Sequence, residues 1–261
     1  MNQQEQQVVS EQWVKDRLIV ALDKSDKNQV MQLIQVLGDE IVWYKVGMEL
    51  YYNEGNTLVE ELLATKKKVF LDLKFHDIPN TVEQASRAAS RLGIGMFNVH
   101  VAGGVLMMRQ AKEGSLEEAH KLGYHPPMVL GMTILTSLSQ QVFNHEVGFS
   151  GTIRNKVLKW AEMAQKAGLD GVVASAREAE DIKRECGPDF KIITPGIRPI
   201  GSALDDQSRV MDPAKALSAG SDFLVVGRPI TRDADPRRAA MDIKKQMASA
   251  QKNQLYSKSH Q

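Results

Sequence analysis

Residues 69–81 read VFLDLKFHDIPNT. Val69 to Leu73 have the composition of a buried strand, yet Asp72, Lys74, His76 and Asp77 crowd its end. Burying charge is costly unless the charges are paired, so they either sit in water or have a task that offsets the cost. Side chains alternate across a strand. Val69, Leu71 and Leu73 therefore face one side, and Phe70, Asp72 and Lys74 the other. Asp72 and Lys74, two residues apart, are separated by roughly 7 Å along the strand and can pair over one small volume. Pro79 ends regular pairing, so Asp77 projects from a loop.

The same pattern of an apolar strand ending in a polar group recurs along the chain. Strands are predicted at 17–23, 41–47, 68–74, 96–101, 128–135, 171–176, 191–197 and 222–228. Helical patterns fall between them, among them TVEQASRAASRL and RNKVLKWAEMAQKAG, and the glycine in KAGLDG stands where a helix should stop. Eight strands alternating with helices predict an α/β fold with a parallel sheet. Closed, this is a TIM (β/α)8 barrel forming a single domain, with an open doubly wound sheet as the structural alternative. The expected division is a polar N-terminal extension over 1–16, the barrel over 17–250 and a polar tail over 251–261. In a barrel with Phe70, Asp72 and Lys74 turned inwards, Val69, Leu71 and Leu73 meet the helices.

The strand ends then lie on one rim. Asp23 closes the first strand, Lys45 lies near the end of the second, and Asp72 and Lys74 close the third. His100 is in the fourth, Thr136 and Ser137 follow the fifth, and Arg198 and Arg228 follow the seventh and eighth. A single polar residue at a strand end is commonly just solvated. A set repeated around the C-terminal rim is where barrel active sites form. Residues 193–213 make a long loop rich in Gly and Pro that carries Gln207. Opposite it, VVGRPIT places Gly227 and Arg228 where barrels frequently bind phosphate.

The totals narrow the function. The 261 residues carry a net charge of +1, with 43% hydrophobic residues. That balance argues against a nucleic-acid binder. One cysteine, Cys186, excludes an internal disulfide and fits a reducing, cytoplasmic setting. No Cys/His cluster suggests structural zinc, and no apolar run has transmembrane length.

With IVALD, YKVG, FLDLKFHDIPNTV, FNVHVAGG, LTSL, TPGIRP and VVGRPIT assembled, the chain resembles the orotidine 5′-phosphate decarboxylases of bacterial type. The element formed by Asp72, Lys74, Asp77, Ile78 and Pro79 is specific to that family and its close relatives. The resemblance implies conversion of orotidine 5′-monophosphate to UMP, the last step of UMP synthesis, with neither metal nor organic cofactor. It implies a homodimer whose sites are shared, Asp77 and Thr81 reaching into the neighbour's site. Asp23 and Lys45 would hold the ribose, and Lys45, Asp72, Lys74 and the neighbour's Asp77 would form the catalytic array. Thr136 and Ser137 would lie near the pyrimidine, and Arg198, Gln207, Gly227 and Arg228 at the phosphate. Two alternatives stand beside this expectation. One is a magnesium-dependent sugar-phosphate lyase of the same superfamily, of the 3-keto-gulonate-phosphate decarboxylase or hexulose-phosphate synthase type. The other is a non-catalytic barrel that binds a nucleotide.

Overall fold

The computed structural model describes residues 11–199 and 211–258, with side chains to residue 250. Eight parallel strands form a closed barrel in the order β1 to β8. They are β1 (Leu18–Ala21), β2 (Trp43–Gly47), β3 (Lys68–Phe75), β4 (Met96–His100), β5 (Met128–Met132), β6 (Gly171–Val173), β7 (Lys191–Thr194) and β8 (Phe223–Val226). Around them run α1 (Lys27–Leu37), α2 (Met48–Ala64), α3 (Pro79–Arg91), α4 (Gly104–Lys121), α5 (Gln140–His145), α6 (Ile153–Lys166), α7 (Ala179–Cys186), α8 (Pro213–Ser218), the short α9 (Arg228–Thr231) and α10 (Pro236–Lys258). All eight expected strands are present. Most are shorter than their apolar runs.

Alternation along each strand sorts the core into two layers. Ile19, Ala21, Trp43, Phe70, Met96, Leu130, Met132, Val173, Ile193 and Val225 fill the barrel interior. Leu18, Val20, Val69, Leu71, Phe97 and Val99 join the outer layer beneath the helices. Phe70 therefore points inwards and Val69 and Leu71 outwards, as the period-two reading requires. The residues of this interior cluster are all apolar, and the charged line described below stands above it at the C-terminal rim.

Helix boundaries follow local chemistry. The Asp26 side chain accepts from Gln29 N at 2.9 Å and starts α1. Pro79 takes the first position of α3, where a missing N–H costs nothing. Gly168, at φ +83°, closes α6 as expected, with Leu169 N donating back to Ala164 O. At both ends helical backbone runs into the segments expected to flank the barrel. Residues 11–15 are helical, Val14 is buried in the outer layer and Trp13 packs on it. Helix α10 continues through residues 251–258, where Gln, Lys and Leu are good helix formers. Among the described residues no helix is long and apolar enough to cross a membrane.

Candidate active site

Four charged side chains from three neighbouring strands meet at the C-terminal rim. Lys74 Nζ lies 2.8 Å from Asp72 Oδ1. Lys45 Nζ lies 3.3 Å from Asp72 Oδ2 and 3.5 Å from Asp23 Oδ1. The charges thus alternate along an unbroken line from Asp23 through Lys45 and Asp72 to Lys74. Strand register accounts for it, since Ala21 pairs with Lys45 and Gly47 with Asp72. Gly47 supplies the seat: a Cβ there would stand 3.1 Å from Lys45 Nζ, in the space through which the ammonium reaches Asp72. Sequence reasoning passed over Gly47, although the glycine two residues after a rim lysine was its signal.

Burial alone would push the Asp72 carboxyl up, but Lys45, Lys74 and the Asn98 amide outweigh it and hold the group below its usual range. Burial likewise works against the Lys45 ammonium, and the facing Asp72 and Asp23 carboxylates outweigh it and raise its pKa. Both shifts widen the pH range over which Asp72 and Lys45 stay charged.

The local backbone is unusual. Lys74 has φ +54°, left-handed for a residue with a Cβ, at a cost of order 1–2 kcal/mol. The β3–β4 pairing slips over the same stretch, from Leu71 opposite Phe97 to Phe75 opposite Val99. This bulge turns Lys74 away from the extended course that the roughly 7 Å spacing assumes, and brings its ammonium back to Asp72. Asn98, buried on β4, donates from Nδ2 to Asp72 Oδ1 at 2.7 Å and accepts the Lys74 N–H at 2.8 Å. It too was missed, though a polar residue inside MFNVH was a visible signal.

Around this line the other rim residues take their places. Thr136 is buried and Ser137 exposed, both just beyond β5. Arg198 is buried beyond β7, its N–H donating to Met211 O at 3.0 Å, so the two ends of the long loop meet. Gln207 falls outside the described residues. Arg228 opens α9 directly after Gly227. Gly227 has φ −107°, so a left-handed backbone is not what requires a glycine. A Cβ there would come within 3.0 Å of Asp23 Oδ2, and this crowding is the constraint. His100 is half-buried, its ring 5.3 Å from that of His76. Burial, with the nearby His76 and Lys74, lowers its pKa against the pull of Asp72 and favours the neutral ring.

Asp77 and Thr81 stand apart. Both are exposed, and Asp77 makes no ion pair among the described residues, its Oδ1 accepting only the adjacent Ile78 N–H at 2.7 Å. Also among the described residues, no three His, Cys, Asp or Glu side chains gather as a metal site would need.

Comparison with known proteins sets this rim in a family. A family model described as Orotidine 5′-phosphate decarboxylase / HUMPS family matches residues 16–243. The chain belongs to that family. An orotidine 5′-phosphate decarboxylase from Heliobacterium modesticaldum is 47% identical over 234 residues, covering 90% of this chain and 96% of the relative. One from Syntrophomonas wolfei is 48% identical over 229 residues, covering 87% and 96%. The crystal structure of the orotidine 5′-phosphate decarboxylase from Lactobacillus acidophilus superposes with a TM-score of 0.79 at 39% identity, over 88% of this chain and 98% of that one. The orotidine 5′-phosphate decarboxylase / HUMPS family match spans every rim residue described above, from Asp23 to Arg228.

Proposed function

We propose that this chain's decarboxylation of orotidine 5′-monophosphate to UMP and CO2 runs on the charge line Asp23–Lys45–Asp72–Lys74. The observation that carries this reading is Lys74 Nζ at 2.8 Å from Asp72 in a half-buried rim. When the bond from C6 to the carboxylate breaks, its electron pair stays on C6, in an orbital lying in the ring plane. The pyrimidine cannot delocalise that pair, so the site must stabilise a localised carbanion. The Lys74 ammonium supplies the charge as the pair develops and then delivers a proton to C6. Water returns the proton to Lys74. A fixed charge aimed at developing charge, in a site from which water is excluded, is usually the largest catalytic contribution. Asp72 orients Lys74 by accepting from its ammonium. Asp23 and Lys45 hold the ribose, and Thr136 and Ser137 face the pyrimidine.

The phosphate falls to Arg198, Gln207, Gly227 and Arg228. Arg228→Ala should lower kcat/KM for the nucleotide by ten- to a hundred-fold, about 1.5–3 kcal/mol, chiefly through KM. Substrate without the phosphate should barely respond. An equal loss on both substrates would place Arg228 elsewhere.

The working unit in this reading is a homodimer in which Asp77 and Thr81 complete the neighbour's site. The exposed Asp77 carboxylate, in no ion pair among the described residues, supports it, as does the adjacent apolar Ile78, 67% exposed. The setting is the cytoplasm, where the one thiol, Cys186, stays reduced. The deciding experiment is incubation with orotidine 5′-monophosphate, following the fall in its ultraviolet absorbance, with and without EDTA. Turnover should be unchanged by the chelator. No turnover of the nucleotide beside EDTA-sensitive, magnesium-restored turnover of a sugar phosphate would point to a sugar-phosphate lyase instead, and nucleotide binding without turnover of either to a silent barrel.

A further inference from the structure

The residues inside β4 rise from the barrel core to the rim in the order Met96, Asn98, His100. Met96 lies in the apolar interior, and at the next level an aliphatic side chain would be the ordinary filling. Asn98 stands there instead, with no exposed surface. A buried amide needs partners for both ends, and these partners are Asp72 and Lys74. Their chemistry settles which end is which. A carboxylate only accepts and a backbone N–H only donates, so Nδ2 must face Asp72 and Oδ1 the Lys74 N–H.

The bulge explains why both bonds matter. Between the flanking ladder pairs β3 advances four residues, from Leu71 to Phe75, while β4 advances two, from Phe97 to Val99. The surplus residues include Asp72 and Lys74, and Asn98 lies opposite them. The Lys74 N–H finds its acceptor in a side chain, and this bond pins the left-handed backbone at φ +54°. The other end of the same amide fixes the Asp72 carboxylate. Oδ1 accepts from both Asn98 and Lys74, while Oδ2 faces Lys45. One side chain thereby sets both the base of the Lys74 side chain and the anchor of its tip.

We propose that Asn98 is the positioning residue for the decarboxylation: it holds the Lys74 backbone in its bulge and the Asp72 carboxylate in its plane, so that the ammonium is aimed at C6 before substrate arrives. This rests on the reading that Lys74 is the cation at C6. Among the described residues no other side chain hydrogen-bonds the backbone of the bulge, and without Asn98 the Lys74 backbone can relax towards an ordinary strand while the carboxylate turns. A shift of about 1 Å at the reacting atom costs on the order of a hundred-fold in rate.

The experiment uses the full-length protein with three variants side by side. Asn98→Ala removes both bonds. Asn98→Asp keeps an acceptor for the Lys74 N–H, and so the fold, but sets an acceptor where Asp72 needs a donor. Lys74→Ala tests the underlying reading. For both Asn98 variants kcat should fall about a hundred-fold, while KM and the affinity for UMP stay within about three-fold, because Asn98 touches neither ribose nor phosphate. A merely structural residue would lower the melting temperature without this division between kcat and KM. If Asn98→Ala fails to fold, Asn98→Asp decides alone. If Lys74→Ala is inactive while the folded Asn98 variants keep kcat within about three-fold, the positioning role is wrong and the reading of Lys74 stands. If Lys74→Ala itself keeps its kcat, the reading of the site fails first.

Discussion

Lys74→Ala should abolish turnover and leave a folded protein that still binds nucleotide. Removing the ammonium takes away both the proton for C6 and the positive charge nearest it. A positioned acid is worth about 10²–10⁴-fold and a preorganised electrostatic donor about 10²–10³-fold, so a loss of ~10⁴-fold or more is expected. The fold should survive because Asp72 is not stranded. Breaking a buried pair is severe when it leaves a charge without a partner, about 3–5 kcal/mol. Here Asp72 keeps Lys45 at 3.3 Å and Asn98 at 2.7 Å. Affinity for UMP, carried by the phosphate and ribose groups, should fall far less than kcat. The measurement is kcat by loss of substrate absorbance, beside UMP affinity by calorimetry. A variant that keeps near-normal kcat would overturn the mechanism. One that loses both kcat and UMP binding would place Lys74 in ground-state binding instead.

What the sequence made legible, and what it did not, divides along a physical line. The barrel was legible because alternation is local: Phe70 inwards and Val69 and Leu71 outwards follow from period two alone. The charged rim was legible because polar groups at successive strand ends must gather once the sheet closes. Two features were hidden because they depend on a neighbouring strand. The left-handed turn at Lys74 is unfavourable for a lysine, and no residue within β3 signals it. Its cause is the amide of Asn98, 24 positions further along the chain. Glycines were the other blind spot. Gly47 and Gly227 both make room for a charged group of the line, the Lys45 ammonium and the Asp23 carboxylate, and neither has a positive φ. Such a glycine is explained by what stands next to it in space, which spacing along the chain does not reveal.

The shared-site dimer makes the most demanding prediction. Asp77→Ala alone should be nearly inactive, and so should Lys74→Ala. Mixed and allowed to exchange subunits, the two should recover activity. In a hybrid dimer one site takes Lys74 from one chain and Asp77 from the other, and both are intact, while the second site carries both defects. A two-fold interface with random exchange makes about half of the dimers hybrid, so about a quarter of all sites are whole and about a quarter of the original activity should return. The surface around Asp77 is suited to this arrangement. Its carboxylate has no cation of its own chain within ion-pair reach among the described residues, and Ile78 beside it stands 67% exposed. The control is a mixture of Asp72→Ala with Lys74→Ala. Asp72 and Lys74 share one strand and lie 2.8 Å apart, so they belong to the same site and no hybrid site is whole. Exchange is verified by mass spectrometry of differently tagged chains. If the Asp77 mixture then remains as inactive as the control, Asp77 acts within its own subunit and the shared site is wrong. Recovery near a quarter in the first mixture and none in the second would set Asp77 across the boundary, on the far side of the substrate from the chain that supplies Lys74.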